Sequence, residues 1–141
     1  MVKKLGRIFS DTACEEFIEY INKLPGKFIQ DIRKDDFLIK YAPQLDNLKL
    51  LDFVTISKNR KSIQEHIDKD MKDGATHKLL IYLNKPTTGG GTYFISDNQT
   101  TTFPAETGMG ILFDIKLKHG GIDFPKNEVK YTIGFRYAEE K

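Results

Sequence analysis

From residue 50 onward the chain consists of short β-rich runs separated by clusters of turn-forming residues, and this pattern constrains the fold more than any other feature. The clusters are rich in Gly, Pro, Asn and Asp, which end strands and form turns. Several short strands at this spacing are typical of a β-sandwich or barrel. The runs cover residues 50–57, 77–84, 92–96, 110–117 and 129–138.

The first part of the chain has a different pattern and predicts one amphipathic helix over residues 11–24. Ser10 and Asp11 are candidate N-caps, because a side-chain oxygen of either can accept a hydrogen bond from the first turn. Phe17 and Ile21 repeat at helical spacing, and Pro25 ends the run. We therefore expect this helix to pack on the β-rich part.

The composition fits a single domain, 1–141, in which residues 1–49 form a helical lead-in and support and residues 50–138 form the β-barrel core. A length of 141 residues lies within the ~100–200 residues of one domain.

The net charge of +2 is too small to indicate a nucleic-acid or membrane binder. The single cysteine, Cys14, excludes a disulfide framework. No apolar run approaches the ~20 residues of a membrane span, and we expect a cytoplasmic protein.

Two of the three histidines lie in a pattern that suits a metal ion. His66 and Asp68 are two positions apart, so on a strand their side chains project from one face. Together with the later His119 they provide the two histidines and one carboxylate of the facial triad in non-haem iron(II) oxygenases. A second interpretation stays open at this point. Apolar residues recur every four positions from Ile63 to Met71, which predicts a surface helix with His66 and Asp68 on its solvent side.

Further motifs follow the H-x-D pattern in a fixed order along the chain. After HID at 66–68 come YLN at 82–84, GGGTYF at 89–94, Pro104 with GMGILFD at 108–114, HGG at 119–121 and KY at 130–131. This order resembles the iron(II)/2-oxoglutarate-dependent oxygenases, in particular their prolyl-4-hydroxylase-like branch. The resemblance implies an α+β, mainly β fold: a double-stranded β-helix, or jelly-roll, barrel with N-terminal helical support.

The resemblance also implies a set of site residues. His66, Asp68 and His119 would be the iron ligands and the catalytic centre. Lys130 would pair with the far carboxylate of 2-oxoglutarate, because a buried dianion needs a cation partner. Arg136 shares a strand face with Lys130 and is the alternative anchor. Tyr82 and Thr92 would contact the same co-substrate. The Tyr82 hydroxyl would donate a hydrogen bond to its far carboxylate.

The implied activity is that of a dioxygenase that uses Fe(II), 2-oxoglutarate and O₂ to hydroxylate a C–H bond, with a protein or peptide side chain as the expected substrate. One departure weakens the case for a proline substrate: residues 55–65 lack the tyrosines of the family pattern, and this stretch is basic. Its cations, Lys58, Arg60 and Lys61, keep open a nucleobase or small-molecule substrate. The pattern is also compatible with a metal enzyme that does not use 2-oxoglutarate, and with a non-enzymatic β-barrel binding module.

Overall fold

The computed structural model describes residues 2–68 and 70–140. No helix in these two ranges is long and apolar enough to cross a membrane. One α-helix, one 3-10 helix and nine strands occur in the described ranges. In chain order they are β1 (Val2–Arg7), α1 (Asp11–Asn22), β2 (Ile29–Lys34), a 3-10 helix (Leu38–Tyr41), β3 (Leu48–Asn59), β4 (His77–Tyr82), β5 (Thr92–Ser96), β6 (Gln99–Phe103), β7 (Met109–Asp114), β8 (Lys118–Gly121) and β9 (Lys130–Glu139).

The strands form two antiparallel sheets that pack on each other. The larger sheet has six strands in the order β1-β7-β4-β9-β3-β2, and the smaller has three in the order β6-β5-β8. Phe94 of β5 contacts Phe113 of β7 with ring centroids 4.9 Å apart, so aromatic packing joins the sheets. The predicted mainly β architecture is therefore confirmed. It places the inward side chains of β4, β7 and β9 opposite those of β5 and β8.

The predicted helix is present but ends two residues early, at Asn22. The Ser10 hydroxyl accepts a hydrogen bond from the Ala13 backbone N–H at 3.1 Å, as expected of an N-cap. The buried face of the helix carries Cys14, Phe17 and Ile21. The helix stops before Pro25 because a residue that precedes proline is disfavoured in the α region.

The expectation that residues 1–49 form a helical lead-in and support is wrong in part, because this range also contains the strands β1 and β2. β1 pairs with β7 and β2 pairs with β3, so these two strands form the two edges of the larger sheet. In β2, the sequence IQDIRK has no buried residue, and an edge strand of this kind lacks the strict apolar alternation by which buried strands are predicted. The N-terminal segment therefore completes the sheet as well as supporting it.

The alternative of a surface helix between Ile63 and Met71 is also wrong for the described residues. His66 instead forms an antiparallel bridge with His119, with backbone N–O distances of 2.8 and 2.9 Å. The Gly121 N–H donates to the Ile63 carbonyl at 2.8 Å. These hydrogen bonds hold the segment against β8, and Ile67 is 53% exposed. Pairing across the fold has overridden the local helical spacing.

Candidate metal centre and adjoining cavity

His66, Asp68 and His119 come together at one point, and each offers one ligand atom within 4.8 Å of the other two. The Asp68 Oδ1 atom lies 3.3 Å from Nε2 of His66 and 3.3 Å from Nε2 of His119. Charge-assisted N–H···O hydrogen bonds are shorter, at about 2.7–2.9 Å. Two ligand atoms at right angles around one ion, each about 2.1 Å from it, are about 3 Å apart. The distances from Asp68 to the two histidines therefore suit a shared cation better than direct hydrogen bonds.

The other nitrogen of each imidazole fixes which nitrogen faces the centre. Nδ1 of His66 lies 2.7 Å from the Gln64 carbonyl, and Nδ1 of His119 lies 2.9 Å from the Leu117 carbonyl. A carbonyl only accepts hydrogen bonds, so in the neutral rings the proton is on Nδ1 and Nε2 carries a lone pair. Two lone pairs and a carboxylate oxygen then face one another. This is the arrangement that outer hydrogen bonds give to histidine metal ligands.

The Asp68 carboxylate provides an independent sign that the centre is built for positive charge. Its Oδ2 atom is buried without a hydrogen-bond partner among the described residues. Burial favours the neutral acid, yet the Lys78 ammonium and the His119 and His66 side chains hold the pKa of Asp68 well below its usual range. The Asp68 carboxylate in turn raises the pKa of His66. A cation is therefore favoured at this point, and iron(II) fits a centre of two histidines and a carboxylate.

A cavity of about 400 Å³ adjoins the three residues and is also lined by Lys130, Thr92 and Thr132. This volume is within the range of small-molecule sites, about 300–1,000 Å³. The Lys130 ammonium lies 5.2 Å from the centroid of the Tyr82 ring, and no carboxylate of the described residues forms an ion pair with it. Burial lowers the pKa of Lys130 to about 8. An anion that entered the cavity would supply the missing partner.

Tyr82 and Thr92, which come from different sheets, meet beside Lys130. Their hydroxyl oxygens are 2.6 Å apart, and both residues are buried. Burial raises the pKa of Tyr82 to about 12, so its hydroxyl keeps its proton at neutral pH. The pair can therefore offer a hydrogen-bond donor to a ligand that Lys130 holds.

Arg136, predicted as the alternative anchor, does not line the cavity. Its side chain is 2% exposed and binds Asp73, with Nε–Oδ2 and Nη2–Oδ1 distances of 2.8 and 3.1 Å. Lys130 and Arg136 do lie on the same face of β9, but six residues of strand separate them by about 20 Å. The cavity adjoins only the first part of β9, so it takes in Lys130 and leaves Arg136 outside.

Sequence reasoning missed Lys78, which reaches the cavity from β4. Its ammonium lies 3.7 Å from Oδ2 of Asp68, and its side chain is only 14% exposed. Strand alternation contained the signal, because positions 78, 80 and 82 share a face. A lysine on the same face as Tyr82, within an otherwise apolar run, is a charged group that points inward.

The amino-acid sequence matches no family profile and no curated protein. Solved structures do match the fold over nearly the whole chain. The viral collagen prolyl hydroxylase from Paramecium bursaria Chlorella virus-1, in its 2OG complex, is 18% identical, with 99% of this chain and 96% of that chain covered and a TM-score of 0.68.

Two further solved structures extend this similarity. The prolyl hydroxylase of Trichoplax adhaerens, in complex with a hypoxia-inducible-factor peptide fragment, is 16% identical, with 98% and 83% covered and a TM-score of 0.70. The non-haem α-ketoglutarate-dependent epimerase SnoN from nogalamycin biosynthesis is 12% identical, with 98% and 77% covered and a TM-score of 0.68. The chain therefore has the jelly-roll fold of these oxygenases, and the predicted fold class is confirmed.

Proposed function

We propose that the protein is an iron(II)- and 2-oxoglutarate-dependent dioxygenase that hydroxylates a C–H bond. The observation that carries the proposal is the pairing of two sites in one cavity. One is a centre of two imidazole nitrogens and a carboxylate oxygen within 4.8 Å of one another. The other is a partly buried lysine, Lys130, that lacks an anionic partner among the described residues. A metal-chelating dicarboxylate needs both sites.

His66, Asp68 and His119 would hold the iron from one side. Lys130 would neutralise the far carboxylate of 2-oxoglutarate as a point charge, and the hydroxyls of Tyr82 and Thr92 would fix its orientation. When bound, iron(II) and 2-oxoglutarate supply the activation of O₂ for C–H hydroxylation. The two sheets would keep bulk water from the reacting groups, which strengthens every charge contact in the cavity.

A peptide or protein side chain is the substrate class that we favour. A groove of about 740 Å³ lies beside the centre, and His66 lines both the groove and the cavity. Phe28 at the groove is 41% exposed, and the Arg60 guanidinium lies 5.1 Å from the centroid of its ring. An extended chain in this groove would bring one side chain to His66. SnoN, an epimerase with this fold, shows that the fold alone does not decide the reaction.

The test of the cofactor set is an anaerobic titration of the apo-protein with iron(II) and then 2-oxoglutarate, monitored for the visible metal-to-ligand charge-transfer band. The band should require both additions and should be lost in His119→Ala. His77→Gln is the matched control, because His77 is the third histidine and does not line the cavity; this variant should keep the band. A folded wild-type protein without the band would contradict the proposed function.

The same preparation separates the substrate classes. A nucleic-acid substrate that contacts the basic residues Lys58, Arg60 and Lys61 should bind with a steep dependence on salt concentration. A peptide substrate should stimulate succinate release from 2-oxoglutarate and lose little affinity as salt is raised. Stimulation by single-stranded oligonucleotides alone would contradict the peptide assignment while leaving the cofactor assignment intact.

A further inference from the structure

Lys78 is, besides Lys130, a partly buried cation of the cavity, and it is not needed to balance the charges of the cofactors. If the proposed function holds, the two positive charges of iron(II) and the one on Lys130 are balanced by Asp68 and by the two carboxylates of 2-oxoglutarate. Lys78 then adds one positive charge that these groups leave unbalanced. Asp31 and Lys61 also line the cavity, but both are exposed and water screens them.

The contacts of Lys78 leave its hydrogen-bonding capacity unused. Its ammonium has three donors and makes no hydrogen bond with the described part of the chain. The 3.7 Å between Nζ and Oδ2 of Asp68 is longer than a direct charge-assisted hydrogen bond. Asp68 attracts Lys78 towards the metal centre without saturating it. The side chain is 14% exposed, so bulk water does not fully solvate the charge.

The neighbouring strand leaves room for this side chain. A Cβ atom added at Gly134 of β9 would lie 2.7 Å from Cε of Lys78 and 3.0 Å from Oγ1 of Thr55. Any larger residue at position 134 would have to displace Lys78 from its course across β9. The absence of a side chain at Gly134 thus lets the lysine extend beside the metal centre.

Lys78 and Lys130 serve different ends of the cavity. On β4, Lys78 precedes Tyr82 by four residues, a rise of about 13 Å, and Lys130 lies over the Tyr82 ring. The Lys130 end suits the far carboxylate of 2-oxoglutarate. The Lys78 end lies at the metal centre, where the C–H bond of the substrate must be held.

From this geometry we propose that Lys78 determines substrate specificity by binding a carboxylate of the substrate beside the metal centre. The inference rests on the proposed function and adds a substrate class to it: a peptide C-terminus, an acidic side chain or another carboxylate-bearing molecule. A carboxylate carries one negative charge, which matches the single unbalanced positive charge. A phosphate carries about −1.5 to −2 at neutral pH and would overcompensate it.

The test uses full-length protein loaded with Mn(II) and 2-oxoglutarate, in which the Lys130 site is occupied. Calorimetry first establishes that 2-oxoglutarate binds. N-acetylglycine and its neutral amide, N-acetylglycinamide, are then titrated, and paramagnetic relaxation of their methyl protons by Mn(II) reports binding near the metal. We expect the acid to bind at least about tenfold more tightly than the amide, the size of one hydrogen-bonded charge contact.

Lys78→Met should abolish the preference for the acid, and Lys78→Arg should retain it. Lys61→Met, at the exposed mouth of the cavity, is the matched control and should keep the preference within about twofold. Equal binding of acid and amide to the wild-type protein would overturn the proposal without any variant. So would a preference that survives Lys78→Met, or a Lys78→Met variant that mainly loses 2-oxoglutarate. Failure of 2-oxoglutarate to bind at all would refute the proposed function itself.

Discussion

Lys130→Met should stabilise the protein in the absence of ligand while it weakens 2-oxoglutarate binding. Burial lowers the pKa of Lys130 from 10.5 to about 8, and one pKa unit corresponds to 1.36 kcal/mol. Below pH 8 the lysine is charged in both the folded and the unfolded state, so the folded state bears the full cost of burying the charge, about 3 kcal/mol. Replacement by methionine removes this cost. The expected rise in Tm is roughly 10 °C at pH 7.

The pH dependence provides a check on the cause. Between pH 8 and 10.5 the folded lysine has lost its proton while the unfolded lysine still holds it. The unfolded state then binds more protons, so wild-type stability rises with pH in this window. The stability difference between Lys130→Met and wild type should therefore shrink as pH rises from 8 to 10.5. Urea unfolding at several pH values measures this, with Lys126→Met, at an exposed position, as the control that should show no gain.

Binding should change in the opposite direction. Loss of one partner of a buried charge pair costs about 2–5 kcal/mol, roughly 30-fold to several-thousand-fold in affinity. The charge-transfer band should therefore require much more 2-oxoglutarate in Lys130→Met, while the iron(II) affinity measured without co-substrate stays the same. A variant that is less stable than wild type at pH 7, or that binds 2-oxoglutarate normally, would refute the reasoning about Lys130.

Two further variants test Tyr82, which lies beside Lys130, and the ion pair between Asp73 and Arg136, which lies outside the cavity. Tyr82→Phe removes the hydroxyl that lies 2.6 Å from the Thr92 hydroxyl. We expect the affinity for 2-oxoglutarate to fall about tenfold while the affinity for iron(II) is unchanged. Equal 2-oxoglutarate affinities of the variant and the wild type in calorimetry would contradict the co-substrate contact. Asp73→Asn breaks the ion pair with buried Arg136 and should cost about 2–3 kcal/mol at pH 7 in urea unfolding. The Arg136 hydrogen bond lowers the pKa of Asp73, so this contribution is present above pH ~4 and is lost as pH falls further. A stability difference between wild type and Asp73→Asn that persisted at pH 2 would count against the ion pair as its cause.

The central strands were predictable because burial leaves a local signal, and the edge strands were not. Runs such as HKLLIY of β4 have buried residues on both faces, so their apolar character is visible in the sequence. The sequence QTTTF of β6 has no buried residue, and KHGG of β8 has four residues, two of them glycines. These two strands exist because β5 pairs with both of them. A contact of this kind has no local pattern.

The site was predictable to a similar extent. Motif order indicated His66, Asp68 and His119, and the structure brings them within 4.8 Å of one another, although their assignment as iron ligands remains a prediction. Face alternation on β9 could not distinguish Lys130 from Arg136, because alternation gives direction and not distance along the strand. Face alternation on β4 could have indicated that Lys78 points inward, but its reach to the metal centre depends on the space over Gly134, a tertiary feature that one strand's sequence does not show.

Because His66 and His119 form a bridge, the candidate centre connects parts of the chain that are far apart in sequence. The strands β4, β5, β6 and β7 all lie between the two histidines in sequence. An ion held by both imidazoles would therefore cross-link the two ends of a long chain segment. The segment would gain chain entropy by opening only after the ion is released. Without the ion, residues 60–68 are attached to β8 mainly by backbone hydrogen bonds. Removal of the ion by a chelator should therefore first cause local opening and proteolytic cleavage of residues 60–68, before the six-stranded sheet unfolds.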